Sequence, residues 1–215
     1  MLNLYRTALL IGAVVFASGC VTGTRSLELP TPMVETAEQT AGTIYISTIE
    51  DSRQFEQKPA QASTPSVTGK LADTTAEQRA RLIGRQRNGY GKAMGDVALA
   101  NESTVQQEVR RLLEAGFKKR GYAIVTDLNA DNVATVDIQK FWGWFRPGFA
   151  SVGFESDIQC GINVETADKA HTLVVSGHAL NKGQVASDAN WIKSFRLTIE
   201  DFMANLDAAL TEAGL

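Results

Sequence analysis

Three consecutive segments of the chain, residues 133–145, 149–164 and 171–180, alternate apolar and polar side chains with a period of two. Successive side chains of a β-strand point to opposite faces of a sheet, so this alternation predicts three strands that each bury one face. Short links join the segments, and strands joined in this way form an antiparallel meander. In the first segment the even-numbered face is the apolar one, with Val136, Ile138, Trp142 and Trp144. This meander constrains the fold more than any other feature of the sequence.

Two helices are predicted to accompany the sheet. Ser103 and Gln106 have the spacing of a capping box, in which each side chain bonds the backbone of the other residue. Apolar side chains then recur at helical spacing over residues 105–117, and Gly121 follows a run of cations, which is typical of a helix C-terminus. The same spacing over residues 191–210 predicts a last amphipathic helix.

Residues 43–50 and 122–126 are rich in β-branched and aromatic side chains and predict two more strands, with a β-α-β crossover through the first helix between them. The expected fold class is α+β, with a mostly antiparallel four- to five-stranded sheet and two main helices packed on one face. Residues 51–101 lack a core-forming period, so we expect a long Gly-rich loop between the first strand and the first helix. A short helix over residues 76–84, capped by Thr75, is the one element predicted within this loop.

The N-terminal residues have the layout of a secretory signal peptide, with one early cation and an apolar run too short to cross a bilayer. The tetrapeptide Ala-Ser-Gly-Cys that ends at Cys20 resembles the lipobox of bacterial lipoproteins, in which the cysteine is acylated. The resemblance implies a signal peptide over residues 1–19, a lipidated tether over residues 20–40 and a single periplasmic domain over residues 41–215. Val21 stands where an inner-membrane retention signal has Asp, which implies the periplasmic face of the outer membrane in a Gram-negative cell. An ordinary signal peptide with a chance cysteine is the alternative.

The charged and titratable residues indicate no reaction. A formal net charge of -3 disfavours a nucleic-acid partner. His171 and His178 have opposite parity on one strand, so we expect no metal site. The acidic residues Asp137, Glu155 and Asp157 share the polar face of the meander, where a solvated surface is the simplest interpretation and a hydrolase would need a cleft. We therefore expect no catalytic residue, no cofactor besides the covalent lipid, and no enzyme.

Residues 140–149, KFWGWFRPGF, hold the densest group of aromatic side chains. Parity places both tryptophans on the core side, but it places Phe141, Phe145 and Phe149 on the solvated face around a turn at Arg146. An exposed apolar cluster usually marks an interaction site, although the helices or the long loop could also cover it. The basic part of the Gly-rich loop is a second candidate contact surface, with Arg85, Arg87, Tyr90 and Lys92.

The order of these features is similar to that of the YajG-type lipoproteins of Proteobacteria. The similarity is carried by the lipobox, a first strand that ends in Glu50-Asp51-Ser52-Arg53, the long glycine-bearing loop, the Ser103-capped helix and Gly121-Tyr122. More loosely, the chain resembles periplasmic modules of accessory lipoproteins in secretion and envelope assembly. The resemblance implies a small α+β domain, with helices against one face of the sheet and without known catalytic residues.

These observations together predict an outer-membrane lipoprotein that acts as a non-enzymatic accessory or assembly factor in the cell envelope. We expect it to contact an envelope protein partner or its own copies through the two candidate surfaces. The alternative is a carrier or sensor of a small lipid or glycan in a cavity between the sheet and the helices.

Overall fold

The structure is a computed structural model that describes residues 23–88, 90–127, 129–146, 148, 151–183 and 187–215. The predicted signal peptide, Cys20 and Phe149 lie outside these residues. The strands are β1 (Arg25–Leu27), β2 (Thr43–Asp51), β3 (Leu82–Arg87), β4 (Ala93–Leu99), β5 (Ala123–Val125), β6 (Asn132–Arg146), β7 (Val152–Glu165) and β8 (Ala170–Gly183). The helices are α1 (Ala76–Arg81), α2 (Val105–Lys119) and α3 (Asp188–Ala213), and Leu71–Asp73 forms a turn of 3-10 helix.

The long strand β6 is the centre of the sheet. On one side it pairs antiparallel with β7, which in turn pairs antiparallel with β8. On its other side β6 pairs parallel with β2 over residues 132–138, and then parallel with β3 at residues 143–144. β5 extends the sheet beyond β2, and β4 followed by β1 extends it beyond β3. One strand therefore carries two different neighbours along the same edge.

This sheet differs from the predicted fold class, which had a mostly antiparallel sheet of four to five strands. The described residues form an eight-stranded mixed sheet, in which the pairings β1–β4, β2–β5, β2–β6 and β3–β6 are parallel. The meander is present as β6, β7 and β8, and the crossover from β2 through α2 to β5 is parallel as expected. The prediction was wrong because a period-two pattern indicates which faces are buried and does not identify the neighbouring strands.

The long loop predicted over residues 51–101 is also wrong, because its second half is regular structure. Thr75 caps α1 in a full capping box with Gln78, and the helix ends where the chain continues directly into β3. β3 and β4 then form an antiparallel hairpin. At Gly84 of this hairpin a Cβ would lie only 2.7 Å from the carbonyl oxygen of Gly143, so glycine is needed for the close approach of β3 to β6.

The tether predicted over residues 20–40 joins the fold as well. β1 pairs with β4, and Leu27 and Leu29 are buried, with 2% and 5% of their surface exposed. The Gly23 carbonyl oxygen accepts a hydrogen bond of 2.9 Å from Gln86 Nε2. The described part of the predicted tether is therefore attached to the sheet.

α2 and α3 lie against one face of the sheet, the inner face, and contact each other. The capping box of α2 is formed by Thr104 and Gln107, one residue beyond the predicted pair. Gly116 of α2 meets Leu206 of α3 so closely that a Cβ at position 116 would overlap the leucine side chain. The largest fully buried aromatic side chains of the main core are Phe117, Phe141, Phe154, Trp191, Phe195 and Phe202.

Arg53 fills the gap where β6 changes its neighbour from β2 to β3. Its Nε and Nη2 donate to the two carboxylate oxygens of Asp51, at 2.7 and 2.8 Å. Its Nη1 donates to the carbonyl oxygens of Leu82 and Phe141, at 2.6 and 3.0 Å, and Nη2 donates to that of Arg79 at 2.9 Å. The guanidinium has five N–H groups, so every one has a partner, and the Arg53 side chain is 0% exposed. We refer to Asp51 and Arg53 as the Arg53 clamp.

The free edge of β8 is covered by α3. The Asp201 carboxylate accepts a hydrogen bond of 2.9 Å from the backbone N–H of His178, and Asn205 Nδ2 donates one of 2.8 Å to the carbonyl oxygen of Ser176. Between them, a Cβ on Gly177 would lie 2.6 Å from the backbone nitrogen of Phe202. Helix and strand are therefore in direct backbone contact.

Candidate functional site

One extra residue in β6 decides which side chains reach the outer face of the sheet, which is the face turned away from α2 and α3. Ile138 lies opposite Cys160 and Lys140 lies opposite Gln159, so Gln139 is the additional residue of a β-bulge. A one-residue shift exchanges the two faces of a strand. Even-numbered side chains of β6 therefore point inward before the bulge and outward after it.

The bulge places two phenylalanines of the predicted exposed cluster, Phe141 and Phe145, in the main core. Phe141 is 0% exposed and stacks on Phe195, with ring centroids 5.8 Å apart. Phe145 is 5% exposed and meets the edge of Phe154 at 5.7 Å. Neither forms the predicted contact surface, because the parity on which the prediction rested is inverted beyond Gln139. Phe149 lies outside the described residues.

The two tryptophans occupy the outer face instead, and residues 52–74 cover them there. Phe55 meets Trp142 edge to face at 5.8 Å, and Trp142 Nε1 donates a hydrogen bond of 3.3 Å to the carbonyl oxygen of Ala62. The buried members of this second, smaller core are Val67, Leu82, Ala98, Trp142 and Trp144. The first half of the predicted loop thus shields an apolar patch on one side of the outer face.

Arg85 continues this patch and is part of the folded structure. It lies between Asp96 of β4 and Trp144 of β6 in the sheet register. Arg85 Nη1 is 3.5 Å from Asp96 Oδ1, which also accepts a hydrogen bond of 3.0 Å from the backbone N–H of Thr68. Burial lowers the pKa of the Arg85 guanidinium, although Asp96 opposes that change. With 8% of its surface exposed, Arg85 is poorly placed to contact a partner.

The outer face of β7 and β8 carries paired charges. Arg146 Nε is 2.8 Å from Glu155 Oε1. The Asp157 carboxylate has two partners, with His178 Nδ1 at 2.6 Å from one oxygen and Lys140 Nζ at 3.7 Å from the other. Two carboxylates of the predicted acidic face therefore each have a basic neighbour.

The third acidic residue of that face, Asp137, lies on the other side of the bulge. Its Oδ2 accepts a hydrogen bond of 3.3 Å from Gln139 Nε2. In the part of the chain that the structure describes, no group of three or more His, Cys, Asp and Glu side chains is placed to hold a metal ion.

An exposed line of side chains runs along β8 on the outer face. We call it the β8 stripe, and it consists of Val174, Ser176, His178 and Leu180. Val174 is 67% exposed and Leu180 is 42% exposed, so two aliphatic side chains on one face of this edge strand are open to solvent. This stripe was not among the predicted contact surfaces, although its two aliphatic residues share the parity of the polar positions of β8 and could have indicated it.

The turn of the β3–β4 hairpin presents the remaining candidate residues. Asn88 Oδ1 accepts hydrogen bonds from the backbone N–H groups of Tyr90 and Lys92, both at 3.0 Å, and Arg87 Nη1 donates to the Gly91 carbonyl oxygen at 2.9 Å. These bonds hold the turn in one shape. Lys92 is exposed and Tyr90 is 98% exposed, so this aromatic ring projects fully into its surroundings.

A family described as "Uncharacterized lipoprotein" matches residues 56–206, most of the 215-residue chain. The chain belongs to this family. The resemblance to YajG-type lipoproteins is thereby confirmed, and membership indicates a protein of the cell envelope that is anchored to a membrane by lipid.

The fold of the lipoprotein is also similar to solved structures. The crystal structure of protein XCC0632 from Xanthomonas campestris is 10% identical with a TM-score of 0.50, over 89% of this chain and 95% of that chain. A crystal structure described as an uncharacterized protein is 11% identical with a TM-score of 0.44, over 87% and 97% of the two chains. The hypothetical protein CT253 from Chlamydia trachomatis is 8% identical with a TM-score of 0.33, over 80% and 99%. The first of these supports the fold alone, and no curated protein matches the lipoprotein.

Two of the clefts that the described residues form at the surface of the lipoprotein are of similar size. One of about 490 Å³ lies between residues 67–70, α1 and β4. The other, of about 480 Å³, is a mainly apolar groove between residues 30–34 and the helices, with Ile199 and Met203 in its wall. None of the helices in the described part of the chain is long and apolar enough to span a bilayer.

Proposed function

We propose that this lipoprotein is a non-enzymatic accessory or assembly factor of the outer membrane, which binds a protein partner through the β8 stripe. The exposure of Val174 and Leu180 on the outer face carries the proposal. Protein interfaces combine apolar anchors with a polar rim, and the stripe has that composition. Its aliphatic ends flank His178, which is bonded to Asp157, while Lys140 lies beside that carboxylate.

Acylation of Cys20 and exposure to the periplasm form part of the same proposal. Membership of a lipoprotein family supports a lipid anchor, and the sequence offers the lipobox-like tetrapeptide that ends at Cys20 as its site. The absence of Asp after that cysteine favours the outer membrane over the inner membrane.

The test is to place a photo-crosslinking amino acid at position 180 and to identify the proteins that crosslink to it in intact cells. Val174→Lys should abolish a specific crosslink, because it replaces one of the two apolar anchors of the contact by a cation. Met33→Lys is the matched control, since Met33 is equally aliphatic and fully exposed but lies beside the helices. If both variants leave the crosslinked protein unchanged, the β8 stripe is not the binding surface.

The carrier or sensor of a small lipid or glycan is the second candidate, and the groove between residues 30–34 and the helices favours it. Its apolar wall and its volume suit an acyl chain. The space between sheet and helices, where such a cavity was expected, is occupied by the buried side chains of the main core. Mass spectrometry of the intact protein, released gently from cells, would detect a co-purified lipid if the groove is a carrier site.

A further inference from the structure

The attachment of Gly23 to the sheet determines where a lipid on Cys20 can lie. The Gly23 carbonyl oxygen is bonded to Gln86 of β3, and it packs on Gly95 of β4, where any Cβ would overlap it. Arg25 pairs with Val97 in a parallel register, so β1 enters the sheet from the end that carries the turn of the β3–β4 hairpin. The anchor therefore leaves the fold at that end of the sheet.

Only three peptide steps separate Cys20 from Gly23. A fully extended chain spans at most ~3.3–3.6 Å per residue, so three steps give an anchor on Cys20 a reach of no more than about 11 Å from Gly23. The hairpin itself extends three residues from Gly95 to Lys92, which is ~10 Å at ~3.3 Å per residue. The longest possible distance from Gly23 to Cys20 is thus about equal to the distance by which the hairpin extends beyond Gly95. When the acyl chains are inserted in the bilayer, the hairpin turn must therefore lie close to the lipid head groups.

The side chains at this end are mostly cationic. Arg146 and Lys182 lie on either side of Gly153 in the sheet register, and both are exposed. Among the described residues, no carboxylate pairs with Lys92, Lys182 or Arg87. The acidic residues at the same end are engaged, because Glu155 pairs with Arg146 and Asp188 pairs with Arg25.

An exposed aromatic residue completes the arrangement. Tyr90 is at the tip of the hairpin with 98% of its surface exposed, and Asn88 fixes the turn that presents it. Tyrosine is enriched at the boundary between lipid and water, because its ring is apolar and its hydroxyl is polar. Lysine and arginine next to an anionic bilayer surface are attracted to it over about one Debye length.

From these observations we propose that the end of the sheet formed by Arg87, Tyr90, Lys92, Arg146 and Lys182 is a membrane-contacting surface that binds the head groups of anionic phospholipids. The inference rests on the acylation of Cys20 proposed above. Contact through this surface, together with the lipid anchor, would hold the domain in one orientation on the bilayer. The opposite end, with the turn between β7 and β8, then points away from the membrane.

The experiment uses the full-length acylated protein in vesicles of phosphatidylethanolamine and phosphatidylglycerol. Tyr90→Cys is labelled with a fluorophore, and spin-labelled lipids in the same vesicles act as quenchers. Asp168→Cys, in the exposed turn between β7 and β8, is the matched control. Cys160 does not interfere, because it is 0% exposed. We expect strong quenching at position 90 and none at position 168.

A charge reversal tests the contribution of the proposed surface independently of the lipid anchor. Lys92→Glu should reduce the quenching of the label at position 90, whereas Lys169→Glu at the opposite end should leave it unchanged. Equal quenching at positions 90 and 168 in an acylated protein would overturn this inference and leave the anchor intact. A mass spectrum that shows no acyl chain on Cys20 would overturn the anchor, and this inference with it.

Discussion

Replacing Arg53 by Met removes the charge of the Arg53 clamp and keeps much of the side-chain volume. The variant leaves Asp51 as an unpaired carboxylate whose side chain is only 13% exposed. It also removes the guanidinium hydrogen bonds to the carbonyl oxygens of Leu82, Phe141 and Arg79. Breaking a buried ion pair by removing one partner costs ~3–5 kcal/mol. We expect the free energy of unfolding to fall by about that amount, and the melting temperature to fall on the order of 10 °C.

The assay is urea unfolding of the purified protein, followed by the fluorescence of the buried Trp142 and Trp191. Arg196→Met is the matched control, because Arg196 pairs with Glu200 on the exposed surface of α3, where the two side chains are 46% and 56% exposed. A surface pair of this kind contributes ~0.3–0.5 kcal/mol.

A loss of less than about 1 kcal/mol in Arg53→Met would refute this reasoning, because the clamp would then be no stronger than a surface pair. A second comparison tests the pairing itself. The test is a double-mutant cycle with Asp51→Asn. The losses of unfolding free energy in Arg53→Met and in Asp51→Asn should sum to much more than the loss in the variant that carries both changes, since each single change already breaks the same interaction.

Two further predictions concern the packing around β7 and β8. Gly177→Ala forces a Cβ against the backbone of Phe202 and should lower the free energy of unfolding in urea by ~1–3 kcal/mol. Gly161→Ala is the control: its Cβ would lie 3.4 Å from the nearest neighbouring atom, so its free energy of unfolding should change by no more than ~0.5 kcal/mol. Equal losses of stability in the two variants would contradict the close approach of α3. Burial raises the pKa of the Cys160 thiol to about 12 from an ordinary value of 9.0. A thiol-specific reagent at pH 9 should therefore modify Cys160 in the unfolded protein and spare it in the folded one. The free energy of unfolding should also fall as the pH rises between these two values, because the unfolded thiol ionises first. Rapid modification of Cys160 in the folded protein would contradict its burial.

The sequence patterns predicted those elements whose signals are local. α2 has its own capping box and an apolar face, so its first residue was predicted to within one position of the observed start. The meander was expected from its alternation, and each of its strands is present. These features depend on residues close together in the chain, and such residues can be interpreted without knowledge of the rest of the fold.

The remaining features depend on contacts between distant residues. β3 is a strand because it lies on β6, and its Gly84 interrupts the alternation by which a strand is recognised. The bulge at Gln139 inserts one residue, and its only mark in the sequence is the pair of consecutive polar residues Gln139 and Lys140. It places Trp142 and Trp144 on the outer face, where Phe141 and Phe145 were expected. Phe141 and Phe145 were therefore assigned to the wrong side of the sheet, whereas Tyr90 and Lys92 in the hairpin turn are exposed, as a contact surface requires.

The hydrogen bonds from Asp201 and Asn205 to β8 restrict how another protein can recognise this sheet. An uncovered edge strand offers its backbone to an incoming peptide, which can add itself as one more strand, or to a second copy in aggregation. Here α3 occupies that position and bonds the backbone of Ser176 and His178 itself. A partner at the β8 stripe must therefore recognise side chains on the face of the sheet. Melting of α3 would uncover a long strand edge prone to polymerise, so the final helix also protects against self-association.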